Sequence, residues 1–575
     1  MTNEKIAESL ERLADLMEFQ GANAFRLRAY RNGARTIRDL PDSIASLLAA
    51  RADLTQFDGV GKSVAQKCKE LVETGKLQQL EDILQQVPKT VLDLLRVPKL
   101  GPKKAAVLFN DLGIENLEQL KDACEAGQIR ELPGFGVKTE QAILDGLELA
   151  NAANERIYWS KADQFVQTLR EYFADCKAVQ KIEFAGSYRR GKETVGDLDI
   201  LVVSKKVDQV MDHFANFPSF DSLIGRGPTK MAIRLDTGFQ IDLRVVPAES
   251  FGAALQYFTG SKQHNVVIRS MAKQRGLKIN EWGVYRLDGN DEKYVAGKTE
   301  REVYKTLDLP LFPPEIRESR FEFELAEQGK LPKLVTVDDI RGDLHMHTTE
   351  TDGKASLEEM VAAAQARGLS YIAITDHSKR VTMANGLDGE RLLAQWAEID
   401  ELNKQFDDDF WVFKGIECDI LENGDMDLSD DILAQADWVI ASIHYGQNQP
   451  RAEITRRILN AIENPNVNLI AHPTGRLLNR RKPYDVDLSA VYAAAVDHGT
   501  LMELNANPAR LDLNDVECAI AKAKSIPIVI NTDAHSIDRL NVMRYGIKQA
   551  RRAGLTRKDV WNCQTLKQVK KQLLK

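Results

Sequence analysis

The sequence predicts a multidomain chain with an all-α N-terminal region, an α+β middle and a C-terminal α/β barrel. Three observations carry this. Apolar residues recur at i, i+3 and i+4 through the first 150 residues, as in Ile6, Leu10, Leu13, Leu16 and Met17. From about residue 180 the period drops to two, in runs such as "DLDILVVS" and "FQIDLRVV". From residue 343, strand-like runs alternate with helical ones, the pattern of parallel strands joined by crossover helices. At roughly 100–200 residues per domain, the 575 residues leave room for about three to five domains.

The net charge of −8 argues against a chain-wide field for nucleic acid, so any such contact must come from local clusters. The six cysteines are scattered with no C-x-x-C pair, which fits reduced thiols in a cytoplasm rather than disulfides or a cysteine zinc site. The charged, amphipathic start "MTNEKIAESLERL" lacks the apolar core and cleavage site of a signal peptide, and no apolar run is long enough to span a membrane.

The N-terminal helices are interrupted by three similar turns: "FDGVGKSVAQKC", "VPKLGPKKAAVLF" and "LPGFGVKTEQAI". Each sets glycine before a lysine and then a helix. Glycine lets a phosphate approach the backbone, and the first N–H groups of the helix carry partial positive charge. The repeats resemble helix-hairpin-helix motifs. This points to DNA-backbone contacts by Gly59, Gly61, Lys62, Gly101, Lys103, Lys104, Gly134, Gly136 and Lys138, without sequence readout. A plain capping glycine in a helix connection is the bland alternative for any one copy.

In "GSYRRGKETVGDLDILV", Asp197 and Asp199 leave one face of a strand-like run. Two carboxylates so close repel unless a cation lies between them, as Mg²⁺ or Mn²⁺ would. Asp242 adds a third from "FQIDLRVV", if the two strands are neighbours. Three such acids suit two metals, one activating a 3′-hydroxyl and one clamping a triphosphate. Gly186 and Ser187 form a tight turn upstream that is suited to phosphate, with Arg190 nearby. This segment, with "QIDLRVVP" and "LQYFTGSKQHNVVIRSMAKQRGLKINEWGVY", resembles the palm and thumb of family-X DNA polymerases over residues 1–315. The resemblance implies that Asp197, Asp199 and Asp242 are the catalytic acids. It implies Gly186, Ser187, Arg190 and Gly196 at the triphosphate, and Tyr257, Phe258 and Gly260 at the sugar. Asn265 falls at the base, Arg269 on the template side, and Glu281 in the thumb. Gln240 departs from the pattern, standing where the vertebrate enzyme has an arginine beside the primer hydroxyl. The N-terminal module resembles the small domain that grips a 5′-phosphate, with Lys67 at the lyase nucleophile position, though phosphate binding explains it equally well. Arg26 and Tyr30 match that pocket only loosely.

Six of the nine histidines fall in the last module at the ends of strand-like runs. His345 and His347 lie in "GDLHMHTTETDG" with Asp352. His377, Glu417, His444 and His472 end four further runs, and Asp533 and His535 end "IPIVINTDAH". In a parallel barrel these ends share one face, so nine metal-ligand side chains converge. The module resembles the PHP (polymerase and histidinol phosphatase) domain. That resemblance implies three divalent ions, Mn²⁺ or Zn²⁺. The first falls to His345, His347, Glu417 and Asp533; the second to Glu417, His444 and His472; the third to Asp352, His377 and His535. Asp352 replaces a histidine of some relatives and makes the third site harder. The chemistry implied is phosphoester hydrolysis. Arg476, Arg480 and Arg481 follow the His472 run and are candidates to meet DNA. His213, His264 and His498 receive no role.

The expected architecture is therefore a helical, helix-hairpin-helix domain (1–85) and a fingers-like helical domain (86–150). A nucleotidyltransferase palm (151–250), a thumb (251–315), a linker (316–342) and a distorted α/β PHP barrel (343–575) follow. The expected function is gap-filling DNA synthesis in repair with 3′→5′ exonuclease, and 3′-phosphatase or AP-endonuclease as further outcomes. Its partners would be gapped or primer–template DNA and deoxynucleoside triphosphates, its state a monomer, and its place the nucleoid-associated cytoplasm. The rivals are a polymerase fused to a small-molecule phosphatase, and a DNA-bridging scaffold.

Overall fold

The computed structural model describes residues 3–39, 44–57, 59–87, 90–95, 97, 100–289, 291–407 and 409–574. The chain forms two compact units, Met1–Asn154 with Asn479–Arg481, and Glu155–Leu478 with Lys482–Lys575. Among the described residues, no helix is long and apolar enough to cross a membrane.

The first unit is helical, as its periodicity demands. Helices Asn3–Phe19 and Ala24–Asp39 pack together, and Ile6, Leu10, Leu13, Leu16, Leu27 and Ile37 are buried in its core. Two of the repeated turns end in helices capped by glycine. Gly61 precedes Lys62–Thr74 and Gly101 precedes Pro102–Leu112, each in extended backbone with no side-chain cap.

The second unit begins with β1 (Ile157–Tyr158), β2 (Lys181–Phe184), β3 (Thr194–Val195), β4 (Asp197–Val203), β5 (Phe220–Arg226), β6 (Lys230–Leu235) and β7 (Gln240–Val246). Strands β1 and β3 pair with each other, and the other five form a sheet in the order β2-β4-β7-β6-β5. Only β4 and β7 are parallel within it. Helix Trp159–Ala174 buries Trp159, Val166, Leu169 and Phe173 in a core shared with Ile200 and Val202 of β4. Next come helices Phe251–Thr259 and Lys262–Gln274 and an antiparallel sheet of β8 (Leu277–Asn280), β9 (Gly283–Asp288) and β10 (Asp291–Ala296).

The stretch expected to link two modules is packed into the fold. Arg317 is 0% exposed. It donates to Glu300 at 2.6 Å and to the Phe312 carbonyl, and its own carbonyl accepts from Ser261 N. Glu322 is equally buried and accepts from His264 Nδ1 at 2.9 Å. Arg320 reaches Asp515 at 2.9 Å, so the segment straps the thumb-like region to the barrel.

The barrel contains β11 (Gly342–Asp343), β12 (Tyr371–Ile374), β13 (Trp411–Asp419), β14 (Trp438–Ser442), β15 (Leu469–Ile470), β16 (Leu501–Asn505) and β17 (Ile528–Asn531), all parallel and neighbours in sequence order. Side chains alternate with period two. Tyr371, Ala373, Phe413, Trp438, Ile440, Leu469, Leu501 and Val529 form one cluster, while Ile372, Ile374, Val412, Val439, Ile470, Met502 and Ile528 join the larger cluster shared with the helices. Trp561, Leu566 and Val569 join the first cluster, so helix Leu566–Leu573 plugs that side of the barrel. The seam between β11 and β17 nearly closes. Met346 bridges Ala534, and the buried Asn562 side chain donates to Gly342 O at 2.8 Å and Ile530 O at 2.7 Å.

Candidate metal centres

The parallel register of β4 and β7 sets Asp199 directly opposite Asp242 and Asp197 opposite Gln240. Three carboxylates thus gather at one end of the sheet. Burial, then Asp197 and Asp242, pushes the Asp199 carboxyl up to about 7. Burial and Asp242 raise Asp197 as well. Asp242 Oδ1 is buried without a hydrogen-bond partner among the described residues, while Gln240 Nε2 donates to its Oδ2 at 2.9 Å. Acids that so resist joint ionisation, with oxygen donors only, fit a hard divalent cation. Gly186 makes the gathering possible. Its φ is +63°, and a Cβ there would lie 2.5 Å from Asp199 Oδ2.

A cleft beside these acids is lined by Gly186, Ser187, Arg190, Asp197, Asp199, Tyr257, Phe258, Gly260, Asn265 and Arg269. Residues chosen from distant parts of the sequence therefore meet in one place. Asn265 is held by Gln256 Nε2 at 2.8 Å and donates to Tyr257 O at 2.7 Å. Arg190 donates to Thr259 O at 2.5 Å and to Glu318 at 3.0 Å. Gly196 stands just before β4, and Glu281 lies half-buried beyond β8.

The second centre lies at the C-terminal ends of the barrel strands. His345 Nε2 is 3.6 Å from both Glu417 and Asp533. His347 Nε2 lies 3.2 Å from Asp533. Glu417 is also approached by His377 at 2.7 Å, His472 at 2.9 Å and His444 at 3.6 Å. Asp352 lies 3.5 Å from His377 and 3.4 Å from His535. Donor atoms converge in three groups: His345, His347 and Asp533; His377, Glu417 and His444; and His347, Asp352, His377 and His535. His347 and His377 each fall in two groups, so the imidazoles are shared more widely than a strict three-way partition.

This donor set fits divalent ions. His345 Nε2, both His347 nitrogens and Glu417 Oε2 are buried without hydrogen-bond partners among the described residues. Burial, with His535 and His377, lowers His347 to about 3, so it stays neutral and able to ligate. Burial disfavours the Glu417 carboxylate, but His444 and His377 more than offset this and hold it well below its ordinary range.

Three buried acids support these ligands. Glu503 accepts from His345 Nδ1 and from His472 N, both at 2.7 Å, which leaves His345 Nε2 facing the centre. Asp419 accepts from His444 N at 2.9 Å. Asp376 accepts from Thr348 N at 2.9 Å and from Thr351 Oγ1, pinning the loop that carries Asp352. None of the three is among the residues that the sequence singles out. The signal for Glu503 was the alternation in "LMELN", which puts it on the face of Leu501. Arg476, a candidate to meet DNA or lie in a solvated loop, is instead 8% exposed and spent on Glu193 at 2.7 Å and on Leu511 O.

In the first unit, a Cβ at Gly61, Gly101, Gly134 or Gly136 would meet nothing within 4 Å, so these turns are open to a ligand. Gly59 and Gly134 share a left-handed φ of +79° and +80°. Lys62, Lys103 and Lys138 stand within the first two residues of the helices that follow. Lys104 Nζ lies 5.4 Å from the Phe135 ring centre. Lys67 donates to the Glu70 carboxylate at 3.0 Å. Tyr30 is buried and bonds Ser63 at 3.0 Å, while Arg26 is exposed.

Five family descriptions match parts of the chain. Residues 1–77 match the helix-hairpin-helix domain and 91–149 the SAM-like helix-hairpin-helix tandem. Residues 156–231 match the DNA polymerase beta palm, 254–318 its thumb, and 343–507 the PHP domain. The DNA polymerase/3′-5′ exonuclease PolX of Bacillus subtilis (strain 168) is 40% identical over 571 residues, 99% of either chain. The chain belongs to the family-X DNA polymerases. Among family relatives, DNA polymerase lambda of Rattus norvegicus is 27% identical over 55% of this chain and 56% of its own. A probable phosphatase of Thermoanaerobacter sp. (strain X514) is 28% identical over 38% of this chain and 89% of its own length. Asp242, Asp533 and His535 lie beyond the matched palm and PHP segments, and strand register brings them to their centres.

Proposed function

We propose that this family-X polymerase fills short gaps in DNA during repair and that its barrel shortens DNA 3′ ends as a 3′→5′ exonuclease. The observation that carries the first half is the facing of Asp199 and Asp242 across β4 and β7, with Asp197 alongside. Asp197, Asp199 and Asp242 would hold two Mg²⁺ or Mn²⁺ ions. Ser187, Arg190 and Gly196 would grip the triphosphate, with Gly186 forming their turn. Tyr257, Phe258 and Gly260 would seat the sugar, Asn265 the base, and Arg269 the template side. The open glycine turns and their lysines would hold the DNA backbone on either side of a gap.

In the barrel the nine ligand side chains would hold three Mn²⁺ or Zn²⁺ ions. Bound divalent ions supply a water acidified enough to attack a phosphodiester and charge to stabilise the transition state. The protein's own share is orientation: Glu503, Asp419 and Asp376 fix the ligands that surround the scissile phosphate. Removal of 3′-phosphates or cutting at abasic sites are extensions of the same chemistry. We place the domain limits at 85, 150, 250, 315 and 342, and the protein as a monomer in the cytoplasm.

The test is gapped DNA with deoxynucleoside triphosphates and Mn²⁺, comparing wild type, Asp242→Ala and His345→Ala. Asp242→Ala should stop synthesis and keep shortening, and His345→Ala should do the reverse. A second reading, a small-molecule phosphatase, draws on the barrel's likeness to the probable phosphatase. It gains if the intact protein leaves a 3′-labelled primer untouched but releases phosphate from small monoesters.

A further inference from the structure

Helix Met543–Arg552 of the barrel ends against the turn that follows Gly186. Arg552 Nη1 donates to the Arg190 carbonyl at 2.9 Å and to Glu318 Oε1 at 2.9 Å. Arg190 Nε donates to that same Glu318 oxygen at 3.0 Å. One carboxylate from the strap therefore serves two guanidinium groups, one beside the nucleotide cleft and one from the hydrolytic half. Gln549 adds a bond to the Gly191 carbonyl at 2.9 Å, so the helix grips two consecutive peptide units of the turn. Arg552 is 5% exposed, and its other arm meets Asp515 at 2.8 Å, which leaves it little freedom to move.

The charges have a direction. Glu318 shared between two cations leaves Arg190 with positive charge to present to the cleft. Glu318 left to Arg190 alone would make a nearly neutral pair, facing a ligand that carries several negative charges. Lys192, half-buried and close enough to feel both arginines and Glu318, belongs to the same cluster.

We propose that Arg552 is a positioning residue of the polymerase site: through Glu318 and the Arg190 carbonyl, it sets the orientation and the available charge of the arginine that faces the triphosphate. The hydrolytic domain is thereby a structural part of the nucleotide site. The inference rests on the reading of Arg190 as a triphosphate contact.

The test measures single-nucleotide gap filling by the full chain in Mg²⁺, with 3′-end shortening and the melting temperature recorded for each variant. Arg552→Ala should raise the KM for the nucleotide roughly 10-fold, the size of one charge-assisted bond, with kcat nearly unchanged. Arg552→Lys, which keeps the charge but cannot reach all three acceptors, should show a smaller rise. Adding Glu318→Gln to Arg552→Ala should bring KM back most of the way, because the uncompensated anion is gone. A merely structural role would make the double variant worse. An unchanged KM in both Arg552 variants, or loss of synthesis, shortening and stability together in both, overturns the proposal. If Arg190→Ala itself leaves KM unchanged, the triphosphate reading has failed and takes the inference with it.

Discussion

The two centres solve the same problem in opposite ways. In the first, three carboxylates on neighbouring strands confront one another, and Asp199 is pushed up to about 7. In the second, six imidazoles and three acids are already paired at 2.7–3.8 Å and are backed by Glu503, Asp419 and Asp376. The first is an oxygen site at a cleft, with Lys230 at 3.6 Å from Asp242 as a partial counter-charge, as suits ions that arrive with a substrate. The second is a buried site with nitrogen donors, of which His345 is anchored through Nδ1 by Glu503, as suits ions that stay. Donor softness, burial and outer support set how firmly a protein owns its metals.

The largest effects should come from isosteric loss of one acid in each centre. Asp199→Asn should cut synthesis about 1,000-fold and leave shortening intact, and Glu417→Gln should do the converse, each by steady-state rates on one DNA substrate. Similar losses of both activities in either variant would break the comparison. Gly186→Ala should cost roughly 100-fold in synthesis, because its Cβ would lie 2.5 Å from Asp199 Oδ2. Glu503→Gln should weaken metal retention in the barrel about 10-fold or more, read by metal content after dialysis, with synthesis unaffected. The smallest effect is on pH. Because a cation must displace the proton shared by the Asp199 cluster, apparent Mg²⁺ affinity for synthesis should fall up to about tenfold per pH unit below neutrality. A flat affinity between pH 6 and 8 would show that the three acids ionise independently.

Much of this was legible in the chain because it depends on local periodicity. Asp197 and Asp199 declare a shared face by their spacing, and His377 or His444 declares a strand end by the apolar run before it. What stayed hidden depends on partners far away. Arg476 looks like a free cation until β3 and its flanks bring Glu193 beside it. The strap from 316 to 342 looks like a loose linker because its charges carry no period. Four of its charges are in fact met by partners from different elements: Arg317 by Glu300, Glu322 by His264, Glu318 by Arg190 and Arg552, and Arg320 by Asp515. Glu503 sits between Met502 and Leu504 on a mostly apolar strand, so an average over the strand conceals it.

The seam of the barrel has a consequence for biosynthesis. His345 and His347 leave the ribosome early in the module, and Asp533 and His535 emerge near its end. Met346 must bridge Ala534, with Asn562 joining the neighbouring strands through Gly342 O and Ile530 O, before those four side chains face one another. The polymerase acids, by contrast, are all translated by residue 242. A nascent chain stalled anywhere between these points carries the three palm acids and an unassembled barrel centre. The order of translation thus completes the palm acids before the barrel's set of metal-ligand side chains.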